Sequence, residues 1–311
     1  MAVMETGDGE RRDRWLAKAY DDASAAGDAA TAESYLLELV DLHPETAWLW
    51  FDLGLFAKRR RDWAECARLN QRSLEAEAEP EGDPAQWNLG IAATALGDWP
   101  TARRAWSAYG VTVPEGTGEL TMELGAVPIR LNPEPRHLGE TQLELDGQTY
   151  PTEVVWCRRL DPARGMIQNV PTPESGHRFG DLLLHDGEPV GTRQLGDVEV
   201  PVFHELALLR AADTPTLRTA VSCPSKDDSV ALEEAFAAAG WAAEDWTRGI
   251  RMLCKACSEG TPGVEHQHAE PAWQASRDFG IGASLDQADL LLREWAVSGS
   301  GRSYDPPQRV L

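Results

Sequence analysis

The sequence predicts an α+β protein of several domains: an N-terminal helical solenoid, a middle antiparallel β domain and a C-terminal α/β sandwich carrying a candidate zinc loop. Three observations predict it. In the first third, Leu53-Gly54 and Asp62-Trp63 are followed thirty-six residues later by Leu89-Gly90 and Asp98-Trp99, the mark of a repeated helical unit. From Val111 the texture changes, and prolines at 114, 128, 133 and 135 interrupt short alternating runs that suit strands. After Asp213-Thr-Pro215, strand-like and helix-like patterns alternate, and between two of them lies Cys254-Lys-Ala-Cys257 with His266-Gln-His268 beyond it.

Charge sets the first limits on function. The 311 residues include 51 Asp and Glu against 29 Lys and Arg, a formal charge of −22. A phosphate backbone needs concentrated Lys and Arg, and anionic lipid needs the same, so nucleic acid and membrane surfaces are not expected partners. No run approaches the length of a membrane span, and residues 1–12 are expected to be a polar, unstructured leader without the apolar core of a signal peptide. Five cysteines, three of them far apart at Cys66, Cys157 and Cys223, fit reduced thiols better than a disulfide framework. The expected location is the cytoplasm.

Residues 13–112 contain three copies of the repeat. The second reads Trp50-Phe-Asp-Leu-Gly54, Ala57, Arg61-Asp-Trp63, Cys66 and Asn70; the third reads Gln86-Trp-Asn-Leu-Gly90, Ala93, Leu96-Gly-Asp-Trp99, Ala102 and Trp106. A weaker first copy runs through Gly27-Asp28, Ala32, Leu36, Leu39 and Pro44, with Ala19-Tyr20 where Leu-Gly stands in the others. The extra two residues before the third copy fit an insertion in Glu79-Pro-Glu-Gly-Asp83. Gly54 and Gly90 are small where two helices cross, and Gly27, Arg61 and Gly97 mark the turns between them.

This pattern resembles the tetratricopeptide repeat, and the resemblance covers about a third of the chain. It implies a concave surface lined by the first helix of each repeat, with Trp48, Phe51, Leu55, Trp87 and Ile91 as binding residues, and Ala17 and Asp21 beside them. Members that clamp a peptide carboxylate use Lys, Arg and Asn there. This chain has Asp21, Asp52 and Pro84 at comparable places and keeps only Asn88, so an anionic peptide end is not the expected ligand. The resemblance implies instead a protein or peptide partner that docks an apolar element, or a later part of the same chain docking in its place. Lys58-Arg-Arg-Arg61 falls where a helix should end and complements the carbonyl end of its dipole.

In residues 113–212 the expected strands are Leu124–Leu131, Thr149–Arg158, Gly165–Val170, Asp181–His185, Val190–Leu195 and Val198–Phe203, with turn signals at Asp146-Gly, Asp186-Gly and Gly196-Asp. They read as an antiparallel sheet or a small barrel. Ser175, His177 and Asp181 lie close in sequence, yet no Gly-x-Ser-x-Gly elbow accompanies them, and a polar loop explains them. His185-Asp186-Gly187 reads as a hairpin turn, and His204-Glu205 as the start of a short helix through Arg210.

Residues 213–297 read as strand Thr216–Cys223, a helix with Val230, Leu232, Phe236 and Ala239 inward, strand Asp245–Leu253, strand Arg277–Ala283, and a helix capped by Ser284. That order resembles a ferredoxin-like sandwich whose last strand is missing, and residues 298–311 read as a loose tail. The connection between the second and third strands holds the metal candidates. Cys254 and Cys257 offer two thiolates to one centre, and His266 and His268 offer two imidazoles, a tetrahedral set that suits zinc in a structural role. Reduced buried thiols with no metal, and a redox pair, stay open beside it; Ser258-Glu-Gly-Thr-Pro-Gly263 cannot continue the helix that a redox CxxC usually opens.

Together these parts read as a non-enzymatic adaptor that binds protein through its repeats. The alternative is a hydrolase or transferase with its site between the β and α/β domains and its repeats recruiting substrate. A cleft converging Ser175, His177 and His204 would favour that alternative.

Overall fold

The computed structural model of the protein describes residues 3–133, 144–145, 148–149, 152–247 and 273–311. These form two compact units, one on residues 3–122 with Asp161–Ala163, the other on residues 123–133, 152–160, 164–247 and 273–311.

The first unit is built from six helices: α1 (Val3–Ala25), α2 (Ala29–Leu42), α3 (Ala47–Arg59), α4 (Trp63–Ala76), α5 (Pro84–Leu96) and α6 (Trp99–Tyr109). Three tight turns of one design join them in pairs. Gly27, Arg61 and Gly97 each adopt a positive φ, of 75°, 59° and 72°. The aspartate that follows each, Asp28, Asp62 and Asp98, caps the next helix by accepting from the backbone N–H of Thr31, Glu65 and Thr101 at 3.1, 3.1 and 3.2 Å. The middle turn places an arginine where its counterparts have glycine, so it carries the left-handed strain that they avoid.

Two glycines set how closely the paired helices approach. A Cβ on Gly54 would lie 2.6 Å from Asn70 Nδ2, and one on Gly90 would lie 2.7 Å from the Trp106 ring. Asn70 and Trp106 occupy the same repeat position, so one packing rule is met by a buried amide in one repeat and an indole in the next. Asn70 holds its place by donating from Nδ2 to Cys66 O at 2.8 Å. Leu16, Leu36, Leu39, Leu49, Leu53 and Phe56 form the main core of this unit. Helix α1 already begins at Val3, so the unstructured leader expected over residues 1–12 is corrected for residues 3–12 despite Gly7 and Gly9, and residues 1 and 2 lie outside the described residues.

The second unit opens with a closed barrel of β1 (Ala126–Leu131), β4 (Glu153–Arg159), β5 (Arg164–Ile167), β6 (Leu182–Leu195) and β7 (Val198–Arg210), in the order β1-β4-β5-β6-β7. Neighbouring strands run antiparallel except at the closure, where β1 pairs β7 in parallel through Ile129 with Phe203 and Arg130 with His204. Val127, Ile129, Leu131, Val155, Cys157, Ile167, Leu183 and Phe203 fill the interior. Two-residue strands β2 (Glu144–Leu145) and β3 (Gln148–Thr149) pair only with each other.

Two expectations fail in the barrel. The turn expected at His185-Asp186-Gly187 is instead passed by β6 in a single strand, with the register against β7 shifting between His185 and Pro189. An inserted irregularity bends a strand and absorbs a turn-like sequence without ending the pairing. The helix expected from His204 is strand, because β7 continues to Arg210 opposite Leu182.

The unit ends in a sandwich of β8 (Thr216–Ser222), α7 (Lys226–Ala238), β9 (Ala242–Asp245), β10 (Ser276–Gly282), α8 (Leu285–Val297), β11 (Ser303–Tyr304) and β12 (Gln308–Arg309). Its sheet runs β11-β8-β10-β9, all antiparallel, with β12 also on β8. Leu217, Val221, Phe279 and Ile281 pack against Leu232, Phe236, Ala288, Leu292 and Trp295 of the helices. The second strand runs Ala242–Asp245 and ends where the expected Asp245–Leu253 strand was to start; Trp246 turns out of it to donate from Nε1 to Val170 O at 2.9 Å, and residues 248–253 lie outside the described residues. The loose tail of 298–311 is likewise corrected: Thr216 N–H donates to Leu311 O at 3.0 Å, and Val310 N–H to Thr216 O at 2.9 Å.

Candidate functional site

The first helices of the repeats are linked side chain to side chain. Tyr20 of α1 donates its hydroxyl to Asp52 Oδ2 of α3 at 2.7 Å, and Lys58 of α3 donates to Asn88 Oδ1 of α5 at 3.0 Å. Both links span about one repeat of sequence, so α1, α3 and α5 lie side by side. Burial raises the Asp52 carboxyl above its usual range, while the Tyr20 hydroxyl and the charge of Arg59 oppose the rise. Burial, the hydrogen bond to Asp52 and its charge push the Tyr20 phenol up to about 12.

The five expected binding residues separate along this row. Trp48 stands 48% exposed, its ring centroid 6.3 Å from that of Tyr20. Leu55 is half-buried. Phe51 is half-buried and packs on Leu74, Ala85, Leu89 and Ala105, inside the repeat core. Trp87 makes edge contacts with Trp106 at 4.9 Å and Tyr109 at 4.8 Å. Ile91 is fully buried. A signal for the last was present: Pro84–Leu96 holds no charged residue, and a helix without a polar face is buried all round. Tyr20, the departure from the repeat pattern, is the residue that sequence reasoning passed over.

Between α4, α5 and α6, a cleft of about 310 Å³ opens among Gln71, Leu74, Glu75, Pro80, Leu89 and Arg104. Its lip is the inserted segment before α5, which Gly82 N–H fastens to Ala108 O at 2.9 Å.

The second unit holds a buried polar cluster instead. His177 Nε2 lies 3.2 Å from Glu205 Oε1, and Nδ1 lies 3.4 Å from Asp181 Oδ2. Glu205 Oε2 accepts from Asn132 N–H at 3.0 Å, and Asp181 accepts from the N–H groups of Ala212 at 2.7 Å and Arg178 at 2.8 Å. Burial alone would lower the His177 pKa, but the two carboxylates override it and push it up to about 9. The imidazole is therefore a cation clasped between two anions. Ser175 Oγ donates to Thr172 O at 2.8 Å and accepts from the backbone N–H of His177 at 3.3 Å, while both ring nitrogens of His177 face carboxylates, so the two are not arranged as a nucleophile and its base.

Nearby, Glu244 of β9 accepts from Val170 N–H at 2.8 Å and Asn169 Nδ2 at 3.2 Å, fastening the sandwich to the barrel. Burial, together with the charge of Glu153, pushes its carboxyl up to about 7 against the pull of those donors.

Cys254, Cys257, His266 and His268 lie outside the described residues. Among the described residues no cluster of His, Cys, Asp and Glu is arranged to hold a metal ion, and no helix is long and apolar enough to cross a membrane. Cys66, Cys157 and Cys223 are buried thiols. Burial and the charges of Asp245 and Asp228 push the Cys223 thiol up to about 12, far from a reactive thiolate.

No protein-family model and no curated protein matches the chain. Among solved structures, an O-GlcNAc transferase mutant from Thermobaculum terrenum aligns at 18% identity and a TM-score of 0.27, over 31% of this chain and 18% of that one. The aligned stretch is thus a small part of that protein, and a likeness of this size assigns neither fold nor activity.

Proposed function

We propose that the protein is a cytoplasmic interaction adaptor whose tetratricopeptide-like helices bind a protein or peptide partner. One observation carries this reading: the side-by-side row of α1, α3 and α5, stitched by Tyr20–Asp52 and Lys58–Asn88, leaves the Trp48 indole half exposed near the start of α3. A half-exposed tryptophan beside a tyrosine is the kind of anchor that dominates binding at interfaces. The test is a photo-crosslinking amino acid placed at Trp48 and, as a control, at Glu75 on a second helix. A partner crosslinked from position 48 and not from position 75 supports the reading. Equal crosslinking from both, or none from position 48, removes it.

The sandwich is read as ferredoxin-like, supported by the β11-β8-β10-β9 order in which the third strand lies between the first two. Cys254, Cys257, His266 and His268 are proposed as a structural zinc site in the connection between β9 and β10. Purified protein should carry about one zinc per chain, with sulfur near 2.3 Å by X-ray absorption. Cys257→Ser should release it, and absence of metal together with free alkylation of both thiols would remove the site.

A further inference from the structure

We propose that the surface around Trp48, near the start of α3, is a subsite for a cationic side chain, so that the partner segment is basic and carries an arginine or lysine there. The proposal rests on the interaction reading above and adds the chemistry of the partner.

Trp48 and Asp52 lie four residues apart on α3 and so share a face. Tyr20 joins them from α1, with its ring beside the indole and its hydroxyl on Asp52 Oδ2. A carboxylate can accept about four hydrogen bonds. Among the described residues, Asp52 receives a hydrogen bond only from Tyr20, which leaves Oδ1 open for a donor. Its partial burial disfavours the bare anion, and an arriving cation would relieve that cost. An indole face next to a carboxylate suits a guanidinium or ammonium, which gains both the ring's quadrupole and the ion pair. Asp21, exposed on α1 directly after Tyr20, adds a second negative charge.

The resident cation is Arg59, which already attracts Asp52 from one end of α3 while its guanidinium stands 5.4 Å from the Phe56 ring centre. A bound cation would compete with that attraction. Apolar partners gain nothing from Asp21 or Asp52, and an anionic one would be repelled by both, so charge selects a basic segment.

The experiment uses the full-length protein and a short fluorescein-labelled peptide alternating arginine and glycine, followed by fluorescence polarisation at physiological salt. A peptide alternating glutamate and glycine serves as the opposite-charge probe. Binding of the arginine peptide is expected, with Asp52→Asn and Trp48→Ala each weakening it about two- to fivefold. Glu75→Gln removes the same charge from an exposed site on α4 and should leave affinity unchanged. No binding to wild type, equal loss in the Glu75→Gln control, or full affinity in Trp48→Ala overturns the proposal. Asp52→Asn keeps the acceptor for Tyr20 and the shape of the side chain, so it reads charge without disturbing the fold. Should the position-48 crosslink to a protein partner survive in Asp52→Asn at full strength, the contact surface stands and its basic partner does not.

Discussion

The two units place their polar groups in opposite ways. In the helical unit the recurring polar device is a surface cap: Asp28, Asp62 and Asp98 repeat one turn three times, each satisfying a backbone N–H beside water. The barrel and sandwich bury theirs. His177 with Glu205 and Asp181, and Arg277 with Asp245, are ion pairs enclosed in protein. Repeated caps distribute small independent contributions, whereas a buried ion cluster concentrates a large one in a few atoms that fail together. A repeat array should therefore tolerate single losses better than the unit that follows it.

The largest test of this contrast is Glu205→Ala. It strands the His177 cation beside one carboxylate and leaves Asn132 N–H without its acceptor, at an expected cost of about 3 kcal/mol or more. Hydrogen exchange should rise in the barrel strands and stay unchanged in α1–α6; a uniform rise in both units would contradict the contrast. The same unit should lose stability as pH rises, in two windows. Glu244 has its folded pKa raised from 4.5 to about 7, so its protonated form is favoured by folding and stability falls as pH rises through that interval. His177 has its folded pKa raised from 6.5 to about 9, so its contribution is full below 6.5 and is lost as pH rises through 9. Melting of Glu244→Gln should lack the lower window and of His177→Gln the upper. Caps whose carboxyls lie below their usual range, such as Asp28 and Asp98, should keep α2 and α6 insensitive across both windows.

Within the helical unit, Gly90→Leu forces a side chain into the Trp106 ring and should cost about 2 kcal/mol by overpacking. Urea denaturation would read it, and a cost near zero would mean that α5 and α6 can part freely. The smallest effect runs the other way. Arg61→Gly relieves the left-handed residue in the middle turn and should raise stability by up to about 1 kcal/mol. A loss instead would show that contacts of the arginine outweigh its backbone strain.

What could be read from the sequence follows how local each feature is. The turns at Gly27, Arg61 and Gly97 and the crossings at Gly54 and Gly90 were legible because each repeat writes its own rule within a few residues, and writes it more than once. The strands of the barrel were legible as runs, but not where they joined: His185-Asp186-Gly187 has the composition of a hairpin turn, and only its pairing with β7 shows that it is an irregularity inside β6. The short strands Ser303–Tyr304 and Gln308–Arg309 exist only by pairing with β8, about eighty to ninety residues earlier, so no local pattern announces them. The clasp was invisible for the same reason. His177 and Asp181 are near neighbours, but Glu205 and Asn132 come from β7 and the end of β1, and a polar loop is the sound reading without them. Of the expected binding row, Trp48 is the most exposed, while Ile91 is buried in an α5 that holds no charged residue and Phe51 packs on Leu74, Ala85, Leu89 and Ala105.

The return of residues 308–311 to β8 has a consequence for how the sandwich bears load. With Leu311 O on Thr216 N–H, the sandwich is entered and left at nearly the same point in space. Its hydrogen-bonded ends also act as a latch in series with the sheet. A pull between residue 213 and residue 311 would first unzip β12 from β8 one bond at a time, protecting the helices and inner strands from the load.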